Sequence, residues 1–299
     1  MGIRVLWIVM AVMGQALSMQ GAAAALAARE AVPAKWAFFP FCIDWHDAKK
    51  RGFAEQAVML KELGYGGVGH IWLDKVEERL ATLDAAGLRL YQITMQVSLA
   101  PDKPAYDKER FRQVLEAVKG RGVQFLLIMN GAKASDLTQD GRAVALVREM
   151  AELAKPGGSE LLLYPHTGDW IERVEDAVRV AKQVDRPNVG VMFNLCHWLR
   201  VSPDRDYRAR LVAAMPYLRA VSINGADERD DRAGKPNWER YIQPLDSGSF
   251  GQAAFLKALR ELGFSGPVGL QCFGIGGDAR EHLARSLAAW KRLEGEERR

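Results

Sequence analysis

Two short apolar runs, at residues 161–163 and 189–193, flank a segment of helical periodicity in the middle of the chain. Each run has the length and the branched side chains of one buried strand, and each stops abruptly in polar and aromatic residues. These two tips read Tyr164-Pro165-His166 and Asn194-Leu195-Cys196-His197-Trp198. The order strand, polar tip, helix, strand, polar tip is that of an α/β barrel, whose functional groups lie at the carboxyl ends of its strands. The pattern therefore predicts a functional site at these tips.

The same alternation extends from residue 36 to residue 293. Apolar runs typical of strands alternate with helical segments, several of which end at a glycine such as Gly64 or Gly87. The predicted strands cover residues 36–42, 65–71, 88–97, 122–129, 161–163, 189–193, 218–223 and 266–272. The predicted helices cover residues 53–63, 76–86, 108–119, 141–153, 170–184, 208–215, 251–262 and 278–293. Eight repeats favour one closed (β/α)8 TIM barrel with a parallel sheet over an open doubly wound sheet.

The first 27 residues have the pattern of a signal peptide. Arg4 gives a positive start, residues 5–16 are almost wholly apolar, and Ala25-Leu26-Ala27 is a suitable cleavage site. The apolar stretch is shorter than the ~20 residues of a membrane-spanning helix, which disfavours an uncleaved anchor. We therefore expect an exported, periplasmic or secreted protein without stable membrane association after cleavage. Residues 28–35 are predicted as a linker, 36–293 as the barrel and 294–299 as a charged tail.

Charge and cysteine content limit the partners. The formal net charge is +4, and removal of Arg4 with the signal peptide leaves about +3. This mild, evenly spread charge gives no reason to expect binding to nucleic acid or to an anionic membrane. Cys42, Cys196 and Cys272 lack metal-type spacing, and buried free thiols are favoured over a disulfide.

Three motifs give the chain a resemblance to the xylose isomerase-like barrel family. They lie at residues 60–68 (LKELGYGGV), 83–88 (LDAAGL) and 259–269 (LRELGFSGPVG), at the approaches to the second, third and eighth strands. The family includes sugar phosphate isomerases, ketose epimerases and the related abasic-site endonucleases (AP endonuclease family 2). The resemblance covers nearly the whole chain after the signal peptide, and it implies a TIM barrel with four divalent-metal ligands at strand tips.

The resemblance also shows a departure at all four ligand positions. The family pattern has a glutamate, an aspartate, a histidine and a final glutamate at these tips. This chain has Tyr164, Asn194, Asn224 and Gln271 there, while His197 and Asp227 are retained beside them. Amide and phenol oxygens bring no net charge to offset dehydration of a dication. We therefore expect no cofactor; an ion relocated to His166, His197 and Asp227 is the alternative.

Imidazole titrates near neutrality, so His166 and His197 are the candidate general acid and base. Tyr164 is a candidate proton donor, and Asp227 could orient a histidine or act as a base. Side chains that could bind hydroxyl groups or stack on a sugar ring form the candidate substrate-binding set. This set is Asn194, Asn224, Gln271, His70, Asn130 and Trp198, with Trp45, Trp72 and Trp170 as further stacking candidates.

The expected function follows from the resemblance and these groups. The chain is similar to sugar isomerases and epimerases, which implies a small-molecule carbohydrate as its partner. We expect it to act on a neutral sugar or keto-sugar by proton transfer next to a carbonyl, without the usual divalent metal. One alternative is a non-catalytic carbohydrate-binding barrel that has lost the metal site. Another is a lyase or hydrolase of keto-glycosides. The sequence leaves the substrate and the oligomeric state open.

Overall fold

The structure, a computed structural model, describes residues 35–228 and 237–296. The predicted signal peptide, nearly all of the predicted linker and the last three residues of the predicted tail lie outside these ranges. The described residues from Trp36 onward belong to one compact unit. Within the described ranges, no helix has the length and apolar character needed to cross a membrane.

Eight parallel strands form one sheet that is nearly closed into a barrel. They are β1 (Phe38–Phe41), β2 (Gly67–Ile71), β3 (Arg89–Ser98), β4 (Gln124–Asn130), β5 (Glu160–Leu163), β6 (Val189–Asn194), β7 (Leu218–Ile223) and β8 (Val268–Gln271). The hydrogen-bonded order is β1-β8-β7-β6-β5-β4-β3-β2. The two end strands approach closely, since a Cβ atom on Gly69 of β2 would lie 2.7 Å from that of Phe41 in β1. The predicted (β/α)8 TIM barrel is confirmed.

Helices follow the strands and cover the outside of the sheet. They are α1 (Phe53–Leu63), α2 (Val76–Ala86), α3 (Lys108–Ala117), α4 (Asp140–Ala154), α5 (Val174–Val184), α6 (Leu195–Val201), α7 (Tyr207–Ala214), α8 (Trp238–Tyr241), α9 (Gln252–Glu261) and α10 (Ala279–Glu296). Most predicted helices lie within a few residues of these bounds. The last helix continues past its predicted end at residue 293.

The start of helix α5 and the presence of helix α6 both differ from the prediction, for identifiable reasons. Helix α5 begins at Val174, four residues later than predicted, because the Trp170 side chain is fully buried and its indole N–H bonds to the Asp136 carbonyl oxygen at 2.8 Å. Helix α6 occupies the second polar tip, where no helix was predicted. Its Leu195, Trp198 and Leu199 recur at helical spacing and are all buried.

The alternation of side chains along β5 decides what faces the interior of the barrel. Leu161 and Leu163 join the core between the sheet and the helices, whereas Leu162 and Tyr164 belong to a smaller cluster that includes Phe41. This smaller cluster fills the barrel interior. Tyr164, directly after the end of β5, therefore lies at the carboxyl end of the strands, where barrels carry their sites.

Candidate active site

A cavity of about 340 Å³ opens at the carboxyl ends of the strands. Much of its wall is aromatic, and the remainder carries a small set of polar groups. The aromatic members are Phe41, Trp45, Trp72, Tyr164, Trp238 and Phe273, and the polar members are Thr94, Gln96, His166, Asp169, His197 and Gln271. Among the lining residues that the structure describes, none is a lysine or an arginine. The cavity combines an apolar body with a few polar groups, as small-molecule sites do.

Tyr164 is the centre of a neutral hydrogen-bonded cluster. The Asn194 amide nitrogen donates to the phenol oxygen of Tyr164, and Gln271 Nε2 lies 3.5 Å from the same oxygen. The backbone N–H of Phe273 donates to Gln271 Oε1 at 3.0 Å, which fixes the amide with its nitrogen toward Tyr164. Burial raises the pKa of Tyr164 well above its usual value. The phenol is therefore neutral, and its own proton is available for donation.

The cluster does not fit the divalent metal that the family resemblance implies. Three of the four presumed ligands meet here, but two of them present amide N–H groups to the third, a protonated phenol. A hard dication is held mainly by carboxylate oxygens, and none of these side chains supplies one. Within the described ranges, no three His, Cys, Asp or Glu side chains converge on a possible ion, so the relocated site at His166, His197 and Asp227 is not assembled.

Asn224 and Asp227, at the tip of β7, do not line the cavity. The Asn224 amide nitrogen donates to the carbonyl oxygens of Gly225, at 2.7 Å, and of Tyr241. The Asp227 carboxylate lies 3.9 Å from Arg240 Nε. Both side chains are engaged with the β7–α8 region, so the structure brings together three of the four neutral groups and leaves Asn224 and Asp227 apart from them.

His166 and Asp169 form a close pair on the cavity wall. His166 Nδ1 and Asp169 Oδ2 are 2.7 Å apart, although the ring nitrogen is not aligned for a regular hydrogen bond. Both residues lie in the loop after β5, and both side chains are partly exposed. With Nδ1 next to a carboxylate, Nε2 is the ring atom left for proton transfer to a ligand. The pair places a carboxylate directly beside a candidate general base.

His197, in α6, is fixed as a neutral imidazole. The backbone N–H of Thr167 donates to His197 Nδ1 at 3.1 Å, and the Thr167 hydroxyl lies at the same distance. Because a backbone N–H can only donate, Nδ1 carries no proton, and the ring proton is on Nε2. Burial and the nearby His166 ring, at 4.2 Å between centroids, lower the pKa of His197 well below its usual value. His197 can therefore donate a hydrogen bond but is not protonated at neutral pH.

Of the remaining predicted residues, Trp45 and Trp72 line the cavity, whereas His70, Asn130, Trp170 and Trp198 do not. His70 bonds through Nε2 to the Asp74 carbonyl oxygen at 2.8 Å, and burial lowers its pKa. Trp198 is buried between Phe193 and Tyr207. Asn130 ends β4 without lining the cavity, and the predicted stacking residue Trp170 is part of the core.

Several lining residues were not predicted, and two of them, Asp169 and Trp238, contact the candidate catalytic histidines. Asp169 follows His166 by three residues within the same loop, so the spacing His-x-x-Asp was a signal that could have identified it. Trp238, in α8, reaches the cavity from the segment after β7 and contacts His197 edge-on at 5.2 Å between ring centroids. Its sequence position, well past the polar strand tip that ends at residue 227, gave no such signal.

Solved structures of low sequence identity share the barrel. L-ribulose 3-epimerase matches with a TM-score of 0.70 and 14% identity over 88% of this chain and 96% of that chain. The 3-keto-D-glucoside 4-epimerase YcjR from E. coli, in its apo form, matches with a TM-score of 0.64 and 18% identity over 86% and 99%. The IOLI protein with a bound zinc atom matches with a TM-score of 0.65 and 16% identity over 87% and 98%.

At these identities the likeness shows the fold alone. No curated protein matches the sequence of this chain. The family model for xylose isomerase-like TIM barrels, in contrast, matches residues 58–293, which is most of the chain. This match agrees with the motifs at three strand approaches and with the eight-stranded parallel barrel. The chain belongs to the xylose isomerase-like TIM barrel family.

Proposed function

We propose that the protein is an isomerase or epimerase-like enzyme that moves a proton next to the carbonyl of a neutral sugar or keto-sugar. The observation that carries the proposal is the His166–Asp169 pair, which lies beside the neutral His197 in one aromatic-walled cavity. Two proteins with the same fold are named as an L-ribulose 3-epimerase and a 3-keto-D-glucoside 4-epimerase, which supports a carbohydrate as the ligand.

The charge of the cavity supports an uncharged ligand. Within the described part of the lining there is no lysine or arginine to pair with a phosphate or carboxylate group. The Asp169 carboxylate faces the same space and would repel an anion. The amide, hydroxyl and imidazole groups on the wall are suitable partners for sugar hydroxyls, each contributing ~1 kcal/mol. A sugar without a phosphate group fits this environment best.

The residues of the cavity have separate roles in the proposed proton transfer. His166, through Nε2, removes the proton from the carbon next to the carbonyl, and Asp169 stabilises the imidazolium that results. Negative charge then develops on the carbonyl oxygen. His197 Nε2–H and the Tyr164 hydroxyl are neutral donors that can stabilise this oxygen without giving up their protons in the ground state. Return of this proton from His166 to the neighbouring carbon gives isomerisation. Epimerisation requires a second donor on the opposite face: that donor, in this proposal the Tyr164 hydroxyl, gives its proton to the carbon and is reprotonated from solvent, while His166 releases its proton to solvent.

The proposed enzyme works without the family's divalent metal. The cluster around Tyr164 supports this metal independence, because neutral hydrogen-bond donors occupy three of the four implied ligand positions. We also propose that the protein acts after export, supported by the signal-peptide pattern of residues 1–27.

The rival proposal is a binding protein that uses the same cavity without turnover. Incubation of the protein with aldoses, ketoses and 3-keto-glycosides, followed by product analysis by NMR, distinguishes the two. The enzyme proposal predicts a new sugar product with at least one class of substrate, and its loss in His166→Gln. Calorimetric binding with no product, unaffected by His166→Gln, favours the binding protein. A product with an eliminated or hydrolysed glycosidic bond favours the lyase or hydrolase alternative.

A further inference from the structure

Trp45 is an exposed aromatic residue held in place at the mouth of the cavity. Its side chain is 52% exposed, yet it also lines the cavity. The ring packs edge-on against Phe273, with 5.8 Å between centroids, and lies 6.3 Å from the Trp72 ring. A continuous aromatic surface runs from the cavity wall out to solvent. It consists of the rings of Trp45, Trp72 and Phe273 and is called here the aromatic ledge.

An ion pair between a partly exposed aspartate and a buried arginine fixes the loop that carries Trp45. Asp44, next to Trp45 in sequence, accepts a hydrogen bond of 2.6 Å from the Arg79 guanidinium of α2. Arg79 is completely buried, bonds to Gln56 Oε1 at 2.8 Å, and stacks over the Phe53 ring at 3.9 Å. Because a buried guanidinium without its partner is costly, the contact restrains Asp44 strongly. The aromatic ledge is thus ordered before any ligand binds, which lowers the entropy lost on binding.

The aromatic ledge is the outer part of the cavity wall, so a ligand longer than the inner, polar space would contact it. At about 340 Å³ the cavity is at the small end of the ~300–1,000 Å³ range of ligand sites. Its polar groups, including His166 and Gln271, surround the inner space, whereas the ledge offers only ring faces and edges. Large exposed aromatic surfaces continuous with a site mark binding regions for apolar ligand faces.

We propose that the aromatic ledge binds the second ring of a glycoside or disaccharide whose first ring lies in the cavity beside His166 and Tyr164. This inference rests on the proposed function, because it assumes that a sugar occupies the cavity. It narrows the substrate class from free monosaccharides to sugars that carry a ring on the glycosidic oxygen. Trp45 supplies the stacking face, and the Asp44–Arg79 pair positions it.

Calorimetry on the full chain tests the inference with probe pairs that share a first ring. One pair is methyl β-glucoside with cellobiose, and the other is methyl α-glucoside with maltose. Two further pairs consist of the 3-keto forms of the same sugars. We expect one disaccharide to bind about tenfold more tightly than its methyl glycoside. Trp45→Ala should remove this difference, measured as the ratio of the two affinities within each pair, and Trp45→Phe should keep most of it. Leu137→Ala changes a residue that is also strongly exposed, 64%, and should have no effect.

The possible results separate this inference from the proposed function. If the methyl glycosides bind and the disaccharides bind no more tightly, the ledge proposal is overturned while the sugar site stands. A disaccharide preference that survives in Trp45→Ala also overturns the ledge proposal alone. If no probe binds the wild-type protein, the ledge proposal is overturned, and the sugar site is then decided by the product assay with aldoses, ketoses and 3-keto-glycosides.

Discussion

The backbone N–H of Thr167 donates a hydrogen bond of 3.1 Å to Nδ1 of His197, and this single contact sets the tautomer of a histidine in the cavity. Thr167 is in the loop after β5, next to His166, whereas His197 is in α6. The contact therefore couples the two polar tips. It also assigns different roles to two adjacent imidazoles, since one is fixed as a neutral donor and the other is left beside a carboxylate.

The first prediction concerns the protonation of His197. Burial and the neighbouring His166 ring lower the pKa of His197, so its Nε2–H tautomer should remain neutral at pH values where a free imidazole, with its pKa of about 6.5, is already mostly protonated. Nitrogen-15 NMR of the imidazole ring measures this directly, with His197→Gln used to assign the signals. Observation of a doubly protonated ring at pH 6 would contradict the assignment.

The second prediction concerns the orienting carboxylate. Asp169→Asn keeps the size of the side chain but removes the charge that stabilises the His166 imidazolium. We expect kcat to fall about 10²-fold, within the range for loss of general acid–base assistance, with little change in KM. Glu172→Gln, in the same loop but outside the cavity lining, is the matched control and should be close to wild type. Equal activity of Asp169→Asn and the control would remove Asp169 from the mechanism.

The third prediction concerns the neutral cluster. Restoring two carboxylates in Tyr164→Glu/Gln271→Glu gives a dication the charge that the native side chains lack. Manganese should then bind at least about tenfold more tightly than to the wild-type protein, as measured by calorimetry. The neutral variant Tyr164→Gln, which matches glutamate in size, controls for the altered packing. Wild-type affinity equal to that of the double variant would show that the native cluster already suits a metal.

The fourth prediction concerns stability in acid. His282 in α10 is buried, and burial lowers its pKa from 6.5 to about 4, although the neighbouring Asp47 and Asp278 act in the opposite direction. The unfolded state therefore takes up a proton at higher pH than the folded state does. The stability that this group contributes is complete above about pH 6.5 and is lost as the pH falls toward 4.

For His282 the loss is on the order of 3 kcal/mol. Chemical denaturation at pH 7.5 and at pH 4 should show a smaller difference in unfolding free energy for His282→Gln than for the wild type. Lys61→Gln, on the exposed surface of α1, should leave the difference unchanged. If His282→Gln and the wild type show the same pH dependence, the acid sensitivity belongs to other groups. His197 is one such group, because its pKa is also lowered by burial.

The sequence was sufficient for the barrel because its strands and helices follow simple periodic rules. Apolar runs such as residues 189–193 and helical segments closed by Gly64 or Gly87 need only local information. The helix at Leu195–Val201 was missed because its apolar residues are interleaved with polar groups that also fit a strand tip. Local pattern cannot decide between these alternatives without the packing around Trp198.

The site was only partly predictable because side-chain direction depends on tertiary contacts. Tyr164, Asn194 and Gln271 meet as expected from their positions at strand ends. Asn224 occupies an equivalent position, but its amide nitrogen donates to the carbonyl oxygens of the neighbouring Gly225 and of Tyr241. The contact with Tyr241, 17 residues further along the chain, cannot be read from a local pattern. Asp169 was missed because it lies in the loop beyond the strand tip, where no strand periodicity marks which side chains turn inward.

Metal-independent proton transfer by His166 and Asp169 is tested most directly by the rate of solvent-deuterium incorporation into a keto-sugar substrate in D2O, before and after removal of metals with EDTA. If proton transfer depends on these two residues, the rate should be the same before and after chelation and should fall at least about 10²-fold in His166→Gln. A rate that disappears on chelation and returns when manganese is added, with His166→Gln still active, would contradict it.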